Sequence, residues 1–135
     1  MTRRTLWLVP LAFCLAADSA QEVLDLFTGL AASLSAGDAR QFLAAFDPAM
    51  PGYSKLRDNV TALVSAGAIE SFVDVVRDEG DAQRRTVEVS WRMRIKRTAD
   101  ATASAPREQT LRCRIEKRGR KWRITSLEPV EYFAL

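Results

Sequence analysis

Few side chains of this chain could move a proton, which narrows the chemistry open to it. The sequence has no histidine and only two cysteines, so a histidine-based triad, a histidine-ligated zinc and a disulfide framework are excluded. We expect no cofactor and no metal, because no glycine-rich phosphate loop or ligand cluster is present either. Acid–base work would fall to one phenol and three carboxylates, namely Tyr53, Asp47, Glu70 and Asp74. No motif ties these four residues together at a catalytic spacing.

Asp74 is the carboxylate with the least ordinary position. It shares the strand parity of Phe72 and Val76, so it points to the same side as two apolar residues. A carboxylate on an apolar face is costly unless it is paired or functional. We favour two structural alternatives: a bulge or register shift turns Asp74 to solvent, or Asp74 pairs with an arginine of the neighbouring strand.

The N-terminal residues have the pattern of a secretory signal peptide. Arg3 and Arg4 precede the apolar run 6–17, and small residues such as Ser19 follow it. The run is too short to span a bilayer, which takes about 20 residues. We expect cleavage after Ser19, which divides the chain into a signal peptide over residues 1–19 and one domain over residues 20–135. The mature protein would then be periplasmic or secreted.

Three stretches of helical periodicity open the mature chain. Residues 21–36 place apolar side chains at spacings of three and four, and Gly37 marks the end of that helix. Asp38 begins a second helix, with Gln41 three positions later as in a capping box. A third helix is predicted over residues 54–65.

The apolar period then changes from 3.6 to 2, which is the period of strands. The predicted strands cover residues 69–77, residues 87–96, residues 111–116 and a last strand that carries Trp122 and Ile124. Cys113 alternates with Leu111 and Ile115, so we expect a buried and inert thiol. The whole is an α+β domain, in which three N-terminal helices pack on the concave face of a curved, mainly four-stranded antiparallel sheet.

The order of these elements, together with several short sequence motifs within them, resembles the pattern of the NTF2-like superfamily, whose members are also called SnoaL-like proteins or cone-shaped α+β barrels. The features that carry the resemblance are the long first helix and three short sequence motifs. The motifs are Ser-Ala-Gly-Asp at 35–38, Phe-Leu-Ala-Ala-Phe-Asp-Pro at 42–48 and Lys-Trp-Arg-Ile at 121–124. The resemblance extends over residues 20–135. Many members place a short hairpin between the second and third helices. Here only residues 47–53 fill that interval, which implies a trimmed pocket mouth.

The resemblance implies a pocket between the helices and the concave sheet face. Its lining would be Phe42, Phe46, Met50, Tyr53, Trp91, Met93, Cys113 and Trp122. An ordinary core would use the same residues, because an apolar inward face is expected of any such sheet. We favour this second interpretation of the set.

Two functions are compatible with the resemblance, because the superfamily hosts isomerases, dehydratases, carriers and interaction modules alike. We favour a binding domain for a small apolar ligand or for a protein or anionic partner. The alternative is a cofactor-independent isomerase or hydro-lyase of the ketosteroid-isomerase type. In that enzyme Tyr53, at the pocket mouth, would donate to a bound carbonyl, and a carboxylate such as Asp74 would move the proton.

Charge divides the mature chain more clearly than any motif. Residues 20–83 carry ten acidic and four basic side chains, whereas residues 84–123 carry four acidic and fourteen basic ones. Many of the basic residues alternate with the buried set, so they should share the outer face of the sheet. The predicted basic face comprises Arg92, Arg94, Arg112, Arg114 and Arg123.

Three interpretations of this basic face stay open. It is a solvated surface on which Glu88 and Glu116 relieve repulsion, it binds an anionic surface or polymer, or it joins two copies in a homodimer. Like charges on both copies would oppose the dimer unless counter-charges interleave. We expect no nucleic-acid partner, because no aromatic residues are interleaved on that face.

Overall fold

A computed structural model describes the backbone of residues 2–99 and 105–135, and the side chains of residues 19–99 and 105–135. The helices come first and the strands after them, as the change of period predicts. In chain order the elements are α1 (Thr2–Ser35), α2 (Ala39–Leu43), α3 (Tyr53–Ala66), β1 (Gly67–Gly80), β2 (Arg84–Arg97), β3 (Arg107–Arg118), β4 (Lys121–Glu128) and a short 3₁₀ helix (Val130–Phe133).

Helix α1 starts earlier than the periodicity predicts, because the backbone from Thr2 onward joins it without a break. The apolar run 6–17 is rich in leucine and alanine, which are strong helix formers. The side chains of residues 1–18 lie outside the described set, so the signal peptide over residues 1–19 stays a prediction. Where the chain is described, no helix is long and apolar enough to cross a membrane.

The junction between α1 and α2 follows the sequence closely. Gly37 adopts a left-handed φ of 71°, and its N–H donates to the Leu34 carbonyl at 3.0 Å. The N–H of Asp38 donates to the Ser33 carbonyl at 2.9 Å, which completes a Schellman motif. The Asp38 carboxylate then accepts a bond from the Gln41 N–H at 2.9 Å and caps α2 as predicted.

The four strands form one antiparallel meander in the order β1-β2-β3-β4. Strand β1 runs through Gly80, three residues beyond the end predicted at residue 77. The reason is the next strand, because the Arg85 guanidinium binds the Asp78 carboxylate at 2.6 Å and extends the hairpin. The turn lies beyond it, where Asp81 accepts bonds from the N–H groups of Gln83 and Arg84.

The outer edge of β4 is covered by the segment that follows α2. Phe46 forms a parallel bridge with Ile124, the Asp47 N–H donates to the Ile124 carbonyl at 2.9 Å, and the Ile124 N–H donates to the Ala45 carbonyl at 2.9 Å. This short pairing ties two of the motifs that carried the resemblance, residues 42–48 and residues 121–124, into one unit.

Two irregularities bend the sheet. The pairing of β1 with β2 shifts between Val75 and Arg77. The pairing of β3 with β4 shifts after Arg114, which opposes Ser126, whereas Ile115 opposes Ile124. Thr125 is therefore an extra residue on β4. Such bulges increase the local twist and help the sheet curve around the helices.

One face of the sheet is buried against the helices and forms the core, and the other is turned away from them; we call the latter the outer face. Buried residues alternate with exposed ones along β2 and β3 as the sequence predicts. The strand residues of the core are Ile69, Val87, Val89, Trp91, Met93, Ile95, Leu111, Cys113, Ile115, Trp122, Ile124 and Leu127. The predicted α+β class is confirmed.

Candidate functional site

The residues predicted to line a pocket are packed into the core. Seven of them are at most 6% exposed: Phe42, Phe46, Met50, Trp91, Met93, Cys113 and Trp122. The eighth, Tyr53, is half-buried and packs against the same cluster. The set therefore serves as the core, which is the interpretation that the sequence analysis favours.

An aromatic cluster occupies the space between the helices and the sheet. The Phe42 ring lies 5.1 Å from Phe46, 6.2 Å from Trp91 and 5.5 Å from Phe133, measured between ring centroids. Phe133 also meets Trp91 edge-to-face at 5.2 Å. Phe133 was not among the residues predicted to line the interior. The sequence feature that could have indicated a buried position is the pair of adjacent aromatic residues, Tyr132 and Phe133, near the end of the chain.

Polar groups inside this cluster hold the core together. The Trp91 indole N–H donates to Ser71 Oγ at 2.8 Å, and the Tyr132 hydroxyl donates to the Trp91 carbonyl at 2.8 Å. Burial raises the pKa of Tyr132 to about 12 and that of Cys113 to about 12, so both stay protonated at neutral pH. Among the described residues, the buried polar side chains are Ser33 and Ser71, and neither is a carboxylate.

Asp74 lies on the outer face, opposite Ser90 of β2, and is exposed. It does share the parity of Phe72 and Val76, but those two residues are themselves 57% and 56% exposed. Asp74 therefore faces solvent together with Phe72 and Val76, and no bulge or register shift turns it there, because the pairing of β1 with β2 shifts only after Val75. Tyr53, at the start of α3, packs toward the core, so the two residues do not form an acid–base pair.

The other two carboxylates named for acid–base work have structural partners. Asp47 accepts a bond from the Ala49 N–H at 2.9 Å and one from the Arg118 guanidinium at 2.7 Å. The backbone bond first, and then Arg118, hold the pKa of the Asp47 carboxyl below its usual value. Glu70 is exposed and stands opposite Arg94 across the β1–β2 pair. Neither group is a carboxyl in apolar surroundings.

Glu22 is a carboxylate that sequence reasoning missed. It accepts bonds from the Trp122 indole N–H at 2.9 Å and from Lys117 Nζ at 3.0 Å, and these bonds lower the pKa of its carboxyl. An open groove of about 540 Å³ lies beside it, between residues 22–26 of α1 and the β3–β4 turn. Glu22 thus fastens α1 to the sheet at one wall of that groove.

The outer face carries the predicted basic residues, but acidic ones stand among them. Arg92 opposes Glu108, and Arg112 lies between Glu88 and Glu128. The face is therefore not uniformly basic. Among the carboxylates that oppose an arginine, Glu70 lies on β1, in the acidic half of the chain, and the other four lie on β2, β3 and β4. The acidic residues that oppose an arginine across a strand pair are Glu70, Glu88, Glu108, Glu116 and Glu128.

Two of the predicted basic residues have other surroundings. Arg123 is half-buried, and its guanidinium donates to the Ala44 carbonyl at 2.8 Å beside the edge of β4. Arg114 opposes Thr86 on one side and Ser126 on the other, so neither strand places a carboxylate directly opposite it. Two shallow hollows, of about 460 and 390 Å³, are both lined by Arg114 and Thr125.

Asn59 belongs to a formal glycosylation motif with Thr61. The structure places it in the middle of α3, and its side-chain Nδ2 atom is buried without a hydrogen-bond partner among the described residues. A buried atom within a helix is a poor acceptor, since used sites lie on surface loops. This position agrees with a chance occurrence of the motif.

No family model and no curated protein matches the sequence, but solved structures resemble the fold. An NTF2-like superfamily protein from Salmonella enterica superposes with a TM-score of 0.67 at 13% identity, over 83% of this chain and 89% of that one. A candidate scytalone dehydratase from Novosphingobium aromaticivorans gives 0.71 at 8% identity, over 85% of each chain. A Nostoc punctiforme protein of unknown function with a cystatin-like fold gives 0.61 at 17% identity, over 80% of this chain and 86% of that one.

These similarities define the class of the protein. The chain has the NTF2-like α+β cone fold, and the resemblance drawn from its sequence is confirmed at the level of fold. Identities of 8–17% establish the fold and carry no activity with them.

Proposed function

We propose that this chain is an exported NTF2-like binding domain that contacts an anionic partner through the outer face of its sheet. The observation that supports this choice is the packed interior. The cluster of Phe42, Trp91 and Phe133 occupies the place where a carrier or an enzyme of this fold would hold its ligand. A domain whose interior is filled by side chains can still bind a partner through its surface.

The arrangement of titratable groups argues against the enzyme alternative. An isomerase or hydro-lyase of the proposed kind needs a carboxyl of raised pKa beside a hydroxyl donor. Here Asp74 is exposed on the outer face, and the pKa of the Asp47 carboxyl is lowered rather than raised. Tyr53 therefore has no carboxylate partner among the groups that the sequence put forward.

The outer face favours an anionic partner for a simple electrostatic reason. Arg92, Arg94, Arg112 and Arg114 are exposed along β2 and β3, and none of the four is within ion-pair distance of a carboxylate of the described chain. Their guanidinium groups therefore form no ion pair within the described chain, although a glutamate opposes each of Arg92, Arg94 and Arg112 across a strand pair and Arg92 lies 5.7 Å from the centroid of the Phe72 ring. Each exposed arginine contributes modestly, and the attraction weakens with salt.

Export with cleavage after Ser19 is compatible with the contacts described for residues 19–35 of α1. The first fully buried side chain that the structure describes is Val23, and the Glu22 contacts with Lys117 and Trp122 lie at the same turn. Removal of residues 1–19 would leave these contacts in place. Export therefore predicts a mature chain that begins at Ala20 and keeps the whole described core.

Three measurements test the proposal. The intact mass of the exported product should correspond to a chain that begins at Ala20. Native mass spectrometry of that product, purified without detergent or ligand, should show the bare polypeptide. Retention on a phosphate matrix should disappear by about 0.5 M salt. A bound small molecule released on activation, or retention unchanged by salt, would overturn the proposal.

A pair of charge variants makes the retention experiment specific. Replacing Arg112 and Arg114 together by glutamine should lower the salt concentration at which the protein elutes. The matched control replaces Arg40 and Arg57 together by glutamine, because both are exposed arginines, on α2 and α3, that are not part of the outer face. Equal effects of the two changes would mean that net charge, and not the outer face, determines retention.

The predicted homodimer stays a prediction. Phe72 and Val76 are the exposed apolar residues of β1 that a second copy would cover if the dimer used the outer face. Opposing arginines of the two copies would then need to meet acidic residues such as Glu88 or Glu108.

A further inference from the structure

We infer that Arg114, Thr86 and Ser126 form a binding site for a tetrahedral oxyanion, which is the phosphate or sulfate group of a larger ligand, and that Thr125 holds Ser126 beside the arginine. The inference rests on the proposed function, because it assigns the anionic partner to one place on the outer face. Strands β2, β3 and β4 all contribute to it.

The first support is the bulge that brings two hydroxyls to one arginine. Because the pairing shifts after Arg114, two consecutive β4 residues, Thr125 and Ser126, stand beside this single β3 residue. Thr125 Oγ1 lies 3.3 Å from the Arg114 carbonyl and donates to it, which fixes the extra residue against β3. Bulges frequently re-aim side chains next to functional sites.

The second support is the charge pattern around the site. Residues opposite each other on one sheet face have Cβ atoms about 4.5–5.5 Å apart, so each arginine interacts with its cross-strand neighbours. Arg94 opposes Glu70, Arg92 opposes Glu108, and Arg112 has a glutamate on both sides. Arg114 instead opposes two hydroxyl residues. It is therefore the arginine of this group that keeps its attraction for an external anion.

The third support is the open volume beside Arg114, which can hold an anion. The hollows of about 460 and 390 Å³ meet at Arg114 and Thr125, and the second also includes Ser126 and Pro51. Glu79 and Glu116 line the first hollow and Glu128 lines the second, but each has a basic neighbour, which for Glu128 is Arg112 on β3. Glu79 is bonded by Arg77 at 2.8 Å, and Glu116 opposes Arg84 on β2. The acidic side chains at the rim are thus partly neutralised.

The donor set favours a tetrahedral oxyanion over a carboxylate. A guanidinium binds two oxygens through parallel N–H groups, which satisfies a carboxylate completely. The hydroxyls of Thr86 and Ser126 lie on either side of the arginine, so they can donate to further oxygens of the same group. A phosphate or sulfate has those further oxygens, whereas a carboxylate does not.

The test is a titration of the mature protein, followed residue by residue in ¹H–¹⁵N correlation spectra. The probes are inorganic phosphate, sulfate and acetate at matched ionic strength. We expect phosphate or sulfate to move the amide signals of Arg114, Thr86 and Ser126 along a common saturation curve. The anion that binds with the higher affinity indicates whether the ligand carries a phosphate or a sulfate ester. Acetate should bind at least severalfold more weakly.

Three variants separate a built site from general attraction. Arg114→Gln should abolish the localised shifts, and Thr125→Val combined with Ser126→Ala should weaken them severalfold without changing any charge. Arg94→Gln removes a charge from the same face beside Glu70 and should leave the shifts intact. Unchanged spectra elsewhere will show that each variant is folded.

Each contrary result has a distinct meaning. Shifts spread evenly over Arg92, Arg94, Arg112 and Arg114 would overturn the site while the outer face remained the binding surface. Equal affinity for acetate would overturn the preference for a tetrahedral group. The absence of any shift on the outer face would overturn both this inference and the proposed function.

Discussion

The indole N–H of Trp91 donates a hydrogen bond to Ser71 Oγ at 2.8 Å, and both residues are buried. The bond links the central strand β2 to the edge strand β1 inside an otherwise apolar core. A buried donor without a partner loses the hydrogen bond that water gave it in the unfolded chain. Ser71 therefore supplies the acceptor that permits the largest side chain of the core to be buried.

Removal of that acceptor should destabilise the fold. Ser71→Ala leaves the Trp91 N–H unsatisfied, and we expect the free energy of unfolding to fall by about 1–3 kcal/mol in urea titrations. The matched control is Ser90→Ala on the outer face, where the hydroxyl donates to the exposed Glu108 carboxylate at 3.2 Å. That change should alter stability by less than about 0.5 kcal/mol. Equal losses in the two variants would contradict the role given to Ser71.

Glu22 should make stability depend on pH in the acidic range. Its bonds to Trp122 and Lys117 lower the pKa of the carboxyl from its ordinary value of 4.5. The unfolded chain therefore binds the proton more tightly than the native one, and the stabilisation present above pH 4.5 is lost as the pH falls through the lower native pKa.

Glu22→Gln removes the titrating group while its amide oxygen can still accept from the indole. The variant should be less stable than the parent at pH 7, with the difference shrinking to nothing in strong acid. Asp25→Asn, one turn further along α1, is the control, because Asp25 is bonded to Gln21 and to neither Lys117 nor Trp122. Thermal unfolding at a series of pH values decides the matter, and a constant difference between parent and E22Q would contradict the expectation.

The elements could be predicted because each is specified by short-range chemistry. Apolar spacing, Gly37 and Asp38 determine α1, its end and the start of α2, and alternation determines β2 and β3. The contacts that fill the interior were not predictable in the same way. Phe133 reaches the core from a 3₁₀ helix at the chain end, and nothing in its local sequence says which of the helices or strands it will meet.

The neighbours of the arginines on the outer face were also not predictable from the local sequence. Parity correctly groups Arg92, Arg112 and Arg114 on one side, but their neighbours depend on cross-strand register. The register of both strand pairs places Thr86 and Ser126 opposite Arg114, whereas it places a glutamate on both sides of Arg112. Asp74 is a second example. It was correctly predicted to lie on the same side of β1 as Phe72, but that side of the strand is exposed. Residues of an edge strand are covered only where a helix reaches them.

Cys113 should be chemically inert in the native protein. It is fully buried, and burial raises the pKa of its thiol to about 12, so the reactive thiolate is scarce at pH 8. We expect negligible reaction with a thiol reagent such as dithionitrobenzoate under native conditions and stoichiometric reaction in guanidinium chloride. Mature protein gives a clean readout, since removal of residues 1–19 also removes Cys14. Rapid labelling without denaturant would show that this part of the sheet opens readily.

Phe133 offers the most direct test of the packed interior. Its ring contacts Phe42 and Trp91 edge-to-face, and Phe133→Ala should destabilise the fold by about 3–5 kcal/mol. The cavity left behind is lined by aromatic residues, so the variant should gain an affinity for benzene or indole that the parent lacks. Leu135→Ala, at an exposed residue near the same chain end, is the control and should change neither property. Thermal shifts with and without the probe measure both effects. A parent protein that is itself stabilised by the probe would mean that its interior admits a ligand, and the proposal of an outer-face binding domain would then be wrong.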